Sequence, residues 1–319
     1  MEKINKNNVL GMLLLLLLAV VAGACVKDDY AASETATVTV TFTTRALSNP
    51  TVNAGGLEAN EQMRTLRVIV ARQNEILYNL KYDIAENETS KTITFSEMTV
   101  NAKGETFDFY AIANEEGVGD SGIWDNVTID GLKGMNLQYE FLTNANDVSK
   151  NTMIPQTAYK QIMVAPQSGG GIQSETMQLD FAVAKVRLTI NNTSAGDQYV
   201  NDINLSGLNM TSTPLFASGT LSDVTDGTLS LGNMSVLANR SATVYAYFFE
   251  NKNTRENYAL TATWNSNPQT LDIDAAGITE ISRGTELNIN ITLHATTKPT
   301  FNIEVVPWTE VEVDVPPFE

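Results

Sequence analysis

Two-residue alternation dominates the chain. In TATVTVTFTT (residues 35–44), Val38, Val40 and Phe42 fall on one face of an extended chain, and Thr37, Thr39, Thr41 and Thr43 fall on the other. Successive side chains of a strand point to opposite faces, so this segment predicts a strand with one buried and one polar face. Similar runs occupy LRVIVA (66–71), KTITFSEM (91–98), FDFYAIAN (107–114), LDFAVAKVRLTINN (179–192), ATVYAYFFEN (242–251), YALTATWN (258–265), ELNINITLHA (286–295) and FNIEVV (301–306). Asn, Gly, Asp and Ser punctuate them. Many short strands between turn residues predict an all-β chain built as antiparallel sandwiches. Helical periodicity is scarce. Residues 54–64 suit a short helix or turn before the strand at Leu66, and NVTIDGLKGMN (126–136) is too polar and glycine-broken for any assignment.

At Pro166–Gly171 the composition shifts to the flexible tract PQSGGG. Such a tract is either a long hairpin loop or a linker. Read as a linker, it places a boundary near residues 170–178 and divides the chain into two tandem sandwiches, 46–174 and 175–298, each of about 130 residues, an ordinary domain size. The tail, 299–319, is bipartite. Phe301, Ile303 and Val305 alternate with Asn302 and Glu304, Pro307 interrupts, and after Trp308 the residues Val311, Val313 and Val315 alternate with Glu310, Glu312 and Asp314. Proline cannot donate to a sheet ladder, so Pro307 marks a bulge or a junction between two strands.

The first residues modify this picture. Lys3 and Lys6 precede an apolar run from Val9 to about Ala22. At about 14 residues the run falls short of the 18–20 that a spanning helix needs, and it fits an export signal occupying residues 1–24. Ala22-Gly23-Ala24-Cys25 resembles a bacterial lipobox, in which the cysteine is acylated. Cys25 is the only cysteine of the chain; it has no partner for a disulfide but can carry a lipid. The alternative is a plain secretory signal with an ordinary thiol at Cys25. Val26-Lys27-Asp28-Asp29 follows, and this acidic cluster resembles the surface-export tags of Bacteroidota lipoproteins.

Hydrophobic residues make up 43% of the 319 and aromatic residues 8%, enough for packed cores. The net charge is −17, and loss of residues 1–24 makes it −18. Such a surface repels phosphate backbones and anionic lipid heads, which argues against nucleic acid and against membrane contact other than a lipid anchor.

Catalytic signatures are missing. The single histidine, His294, ends a strand-like run and makes neither a metal site nor a triad without converging partners. Asp120, Asp125 and Asp130 do not have calcium-loop spacing. The Asp272/Asp274 pair has no distinguishing context, because a glycosidase pair is defined by three-dimensional separation. Trp124, Trp264 and Trp308 suit sandwich cores better than sugar platforms. No enzyme activity and no cofactor are expected.

Taken in order, the lipobox, the strand ending at Arg45-Ala46, LRVIV, FDFYAIANE, FAVAKVRLTI, YFFEN (247–251), ISRGTELNINI (281–291) and the Pro307-Trp308 tail resemble the fimbrillins, the type V pilins of Bacteroidales, over nearly the full length. That resemblance implies two transthyretin-like sandwiches and export as a lipoprotein acylated at Cys25 and held by the outer membrane. It further implies cleavage between Arg45 and Ala46 by an arginine-specific protease. The strand bearing Val38, Val40 and Phe42, part of segment 25–45, would leave, and a neighbour's strand would fill the groove. The donor would come from the tail: Val311, Val313 and Val315, or alternatively Phe301, Ile303 and Val305, with Trp308 between them. The partners implied are other fimbrial subunits, with host or bacterial surface ligands also possible, and the location is the cell surface in a fimbrium. A non-polymerising anchor or tip subunit is the alternative within the same family. A glycan-binding surface lipoprotein is the alternative outside it.

Overall fold

A computed structural model of the chain describes residues 34–44, 57–86, 88–119, 121–166, 171–216, 227–252, 258–273, 277–295 and 298–307. The strands are β1 (Glu34–Thr44), β2 (Thr65–Arg72), β3 (Glu75–Asp83), β4 (Ser90–Val100), β5 (Glu105–Ala113), β6 (Asn136–Gln138), β7 (Gln156–Val164), β8 (Ile172–Phe181), β9 (Ala184–Asn192) and β10 (Gln198–Leu208). They continue with β11 (Ser212–Pro214), β12 (Gly227–Val236), β13 (Ser241–Phe248), β14 (Asn251–Lys252), β15 (Ala259–Trp264), β16 (Asn267–Asp272), β17 (Glu280–Ile281), β18 (Thr285–Leu293) and β19 (Thr300–Pro307). Three short helices, α1 (Ser121–Asp125), α2 (Ile129–Gly134) and α3 (Tyr139–Ala145), stand between β5 and β7.

The all-β reading holds. The first unit is a sheet in the order β3-β2-β5-β7-β8-β1-β4. Strands β7 and β8 pair only at Gln156–Phe181 and Thr157–Asp180. The sheet therefore divides there into two layers, and alternate residues of β1, β2, β4, β5, β7 and β8 enclose one core that includes Val38, Val40, Phe42, Phe95, Phe107 and Phe109. The second unit packs β12-β10-β15-β16 against β13-β9-β18-β19 around Leu188, Leu205, Phe248, Leu287 and Ile289. The pairing of β18 with β9 is parallel, as is that of β1 with β8.

One sequence expectation is corrected. The boundary expected at 170–178 overlaps β8 from Ile172 onward, and β8 belongs to the first unit, so the units meet at Ala182-Val183 rather than dividing into 46–174 and 175–298. The PQSGGG tract stands in sequence between β7 and β8, two strands of the first unit, and its residues 167–170 lie outside the described residues; glycine and serine mark a turn equally well in a hairpin or a linker. The run 179–192 is two strands, β8 and β9, in different units.

A helical layer occupies residues 121–145, which include the stretch 126–136 that the sequence left without assignment. Thr128 caps α2 by accepting from the Gly131 N–H at 3.1 Å, and Ile129 and Leu132 are buried. With Trp124, Phe141 and Leu142 they cover the outer face of β2 and β5 at Ile69, Ala71, Tyr110 and Ile112, and meet Phe181, Leu215, Tyr247 and Phe249 beside the second unit. Both faces of β2 are thereby covered, which explains the nearly unbroken apolar run LRVIVA. Residues 57–64 form turns, within the expectation for 54–64. Among the described residues no helix is long and apolar enough to cross a membrane.

Candidate strand-exchange interface

Strand β1 is the first described element of the chain, yet it lies inside its sheet. On one side it runs antiparallel to β4, with Val38 opposite Phe95, Val40 opposite Ile93 and Phe42 opposite Lys91, and with a bulge between Ala36 and Val38. On the other it runs parallel to β8, with Val40 opposite Glu175 and Phe42 opposite Met177. Val38, Val40 and Phe42 are each 0% exposed, and Ala36 and Thr44 are also buried. The strict alternation produces this directly, since every second residue faces the core.

The outward threonines form hydroxyl pairs with β4, Thr39–Thr94 and Thr41–Thr92, each at 3.0 Å. On the core side of the β1 slot, Phe95 of the neighbouring β4 lies edge-on to Tyr78 at 5.2 Å and to Phe109 at 5.5 Å. Burial of each apolar side chain of β1 contributes roughly 1.5–3 kcal/mol. Three such side chains together match the net stability of a typical domain, about 5–15 kcal/mol. The slot walls (Ile93 and Phe95 on β4, Met177 and Leu179 on β8) were not singled out in the sequence, although KTITFSEM and MQLDF carry the same alternation.

The first half of the tail is β19, the outermost strand of its sheet among the described residues. It pairs antiparallel with β18 from Thr300–Thr292 to Pro307–Thr285. Ile303 and Val305 are half-buried against the second core, and Phe301 is exposed. The residues Phe301, Ile303 and Val305 thus pair with a strand of their own unit. Val38, Val40 and Phe42 stand together in the first unit, far in topology from β19. Cys25, Arg45, Ala46, Trp308, Val311, Val313 and Val315 lie outside the described residues; β1 ends at Thr44, immediately before Arg45. There the Thr44 N–H donates to Thr89 O at 2.9 Å.

The other sequence candidates have structural surroundings. Trp124 is fully buried in the core beneath the helical layer. Half-buried Trp264 donates from Nε1 to Gln198 Oε1 at 2.9 Å. His294 stands just past β18 with Nδ1 3.3 Å from Thr193 Oγ1 and Nε2 3.2 Å from Thr300 Oγ1, linking that strand end to the start of β19.

No protein-family model matches the chain, and no curated protein matches it. Solved structures do. A candidate cell-adhesion protein from Parabacteroides distasonis superposes with a TM-score of 0.57 at 15% identity, covering 87% of this chain and 98% of that one. The tip fimbrial protein Mfa3 of Porphyromonas gingivalis, C-terminally truncated, gives 0.52 at 13% identity, covering 85% and 100%. A fimbrilin, FimA, of Porphyromonas gingivalis gives 0.51 at 12% identity, covering 88% and 99%. The two sandwiches of this chain therefore share the fold of these fimbrial and cell-adhesion proteins.

Proposed function

We propose that the chain is a structural subunit of a cell-surface fimbria, exported as a lipoprotein on Cys25, activated by cleavage after Arg45 and polymerised by strand exchange. The carrying observation is the position of β1: an N-terminal strand, buried to 0% exposure at Val38, Val40 and Phe42, in an interior slot, ending one residue before Arg45. A cut after Arg45 severs β1 from the rest of the chain, and its departure leaves a slot with ladder groups on both walls and three empty apolar pockets. A neighbour's alternating strand restores both the hydrogen bonds and the burial. Val311, Val313 and Val315 are the favoured donors, because Ile303 and Val305 already pack against their own core. The resulting fibre presents its subunits for adhesion, with other subunits as partners.

The Arg45→Ala variant tests this. It should remain a full-length monomer on the cell surface while the parent forms ladders that resist mild detergent. Ladders from the variant would overturn the cleavage step. Cys25→Ser should abolish labelling by a palmitate analogue and leave precursor in the periplasm; unchanged labelling would remove the lipoprotein assignment.

A further inference from the structure

Residues 57–64 lie between Arg45 and β2, and a buried charge cluster fixes them where the two sandwiches meet. Glu61 and Lys185 are both 0% exposed, and Lys185 Nζ donates to Glu61 Oε1 at 2.6 Å. Tyr247 donates its hydroxyl to the same oxygen at 2.7 Å, and the Glu58 N–H donates to Glu61 Oε2 at 2.8 Å. Buried Glu286 stands 3.7 Å from Lys185 and accepts from Arg187 Nε at 3.0 Å. The Lys185 ammonium also sits 4.7 Å from the centre of the Tyr245 ring.

The first sandwich grips the same segment from its other side. Gln156 Nε2 donates to Glu61 O at 2.9 Å and Asn60 Nδ2 to Thr152 O at 3.1 Å. Asn114 accepts from the Arg64 N–H and donates to Gln62 O, both at 2.9 Å.

Burying opposite charges costs desolvation that their attraction barely repays, so an apolar pair would serve stability about as well. Many directional bonds converging on one carboxylate instead fix a single geometry. Its position, just downstream of the proposed cut, gives that geometry a use. We propose that Glu61, Lys185 and Tyr247 form a retention clamp that holds residues 57–64 and the junction in place while the β1 slot is empty. The inference rests on the cleavage reading above.

Cleavage creates a chain end at Ala46, eleven residues before Leu57. Loss of β1 withdraws Val38, Val40 and Phe42 from the core that Leu66, Val68 and Val70 of β2 share. The clamp keeps residues 57–64 docked, so the groove opens in a folded subunit. None of the three clamp residues belongs to the core around β1, so they act as positioning residues.

Hydrogen exchange on the full chain before and after a single cut at Arg45 by an arginine-specific protease tests the clamp. In the parent, peptides covering 57–64 should stay protected after the cut while those of β1 exchange freely. In Glu61→Gln/Lys185→Met, which leaves no orphaned charge, the uncut protein should keep that protection within about twofold, and the cut protein should lose about tenfold or more. Tyr247→Phe should move in the same direction by less, and it carries the test if the double variant does not fold. A purely structural pair would shift cut and uncut forms alike. Equal protection of 57–64 in the cut variant and cut parent overturns the clamp, as does its loss in the cut parent. If the protease leaves Arg45 intact, the cleavage reading fails instead, and a specific protease site placed within 46–56 makes the same comparison.

Discussion

Phe42 is the largest side chain that β1 places in the first core, and it is fully buried opposite Met177. Phe42→Ala should lower the stability of the uncut chain by about 3–5 kcal/mol, the usual cost of truncating a buried aromatic ring. Thr41→Ala, on the outward face, should change it by no more than about 1 kcal/mol. Urea unfolding measures both. The strand-exchange reading adds a further outcome: once assembled, Phe42→Ala fibres should resist denaturant as the parent does, because β1 is no longer present. Fibres weakened in proportion to the monomer would show that β1 stays. The burial of Val38, Val40 and Phe42 was legible because threonine alternates with them. The clamp was not legible: Glu61 and Lys185 are separated by 124 residues, and no local pattern distinguishes a buried carboxylate from a solvated one.

Among the elements, β1 and the tail have different roles to test. On the strand-exchange reading, Val313→Lys should abolish polymers while the monomer stays folded, because Val313 is assigned its apolar partners in a neighbouring subunit. Ile303→Lys should instead destabilise the monomer by about 1–3 kcal/mol, as expected for a charge placed at a half-buried apolar position. Size-exclusion chromatography and thermal melts of the two variants separate the two halves of the tail, and polymers from Val313→Lys would exclude Val311–Val315 as the inserted strand. Most strands were readable from alternation. The split of 179–192 into β8 and β9 was not, because Phe181, Ala182, Val183 and Ala184 are all buried where the chain passes between units. The short helices around Trp124 and Phe141 were missed for a related reason. Five to seven residues give too few turns for a clear 3.6 period, and they are stabilised mainly by the sheet face they cover.

For the whole molecule, the net charge works against the proposed assembly. Residues 1–45 carry four cationic and four anionic side chains, so a subunit cut after Arg45, as proposed, would keep the full −17. Highly like-charged subunits repel at long range, and salt shortens that range to about 10 Å at 0.1 M. Polymerisation of cleaved subunits should therefore accelerate severalfold from low to physiological ionic strength, followed by light scattering; a rate independent of salt would mean that the contacting surfaces are locally neutral. The sequence by itself determined the all-β class, the alternating first strand with Val38, Val40 and Phe42 facing inward, and the alternating run of Phe301, Ile303 and Val305 that leads up to Pro307, the last described residue. These are properties of neighbouring residues, set by the two-residue period of a strand and by proline's missing donor. Only the tertiary structure decided that β1 is an interior strand between β4 and β8, that β8 closes the first sandwich, that β19 packs on its own unit, and that Glu61 meets Lys185. Each of those depends on which distant segment supplies the partner, and a strand's alternation specifies which face it buries without specifying the strand beside it.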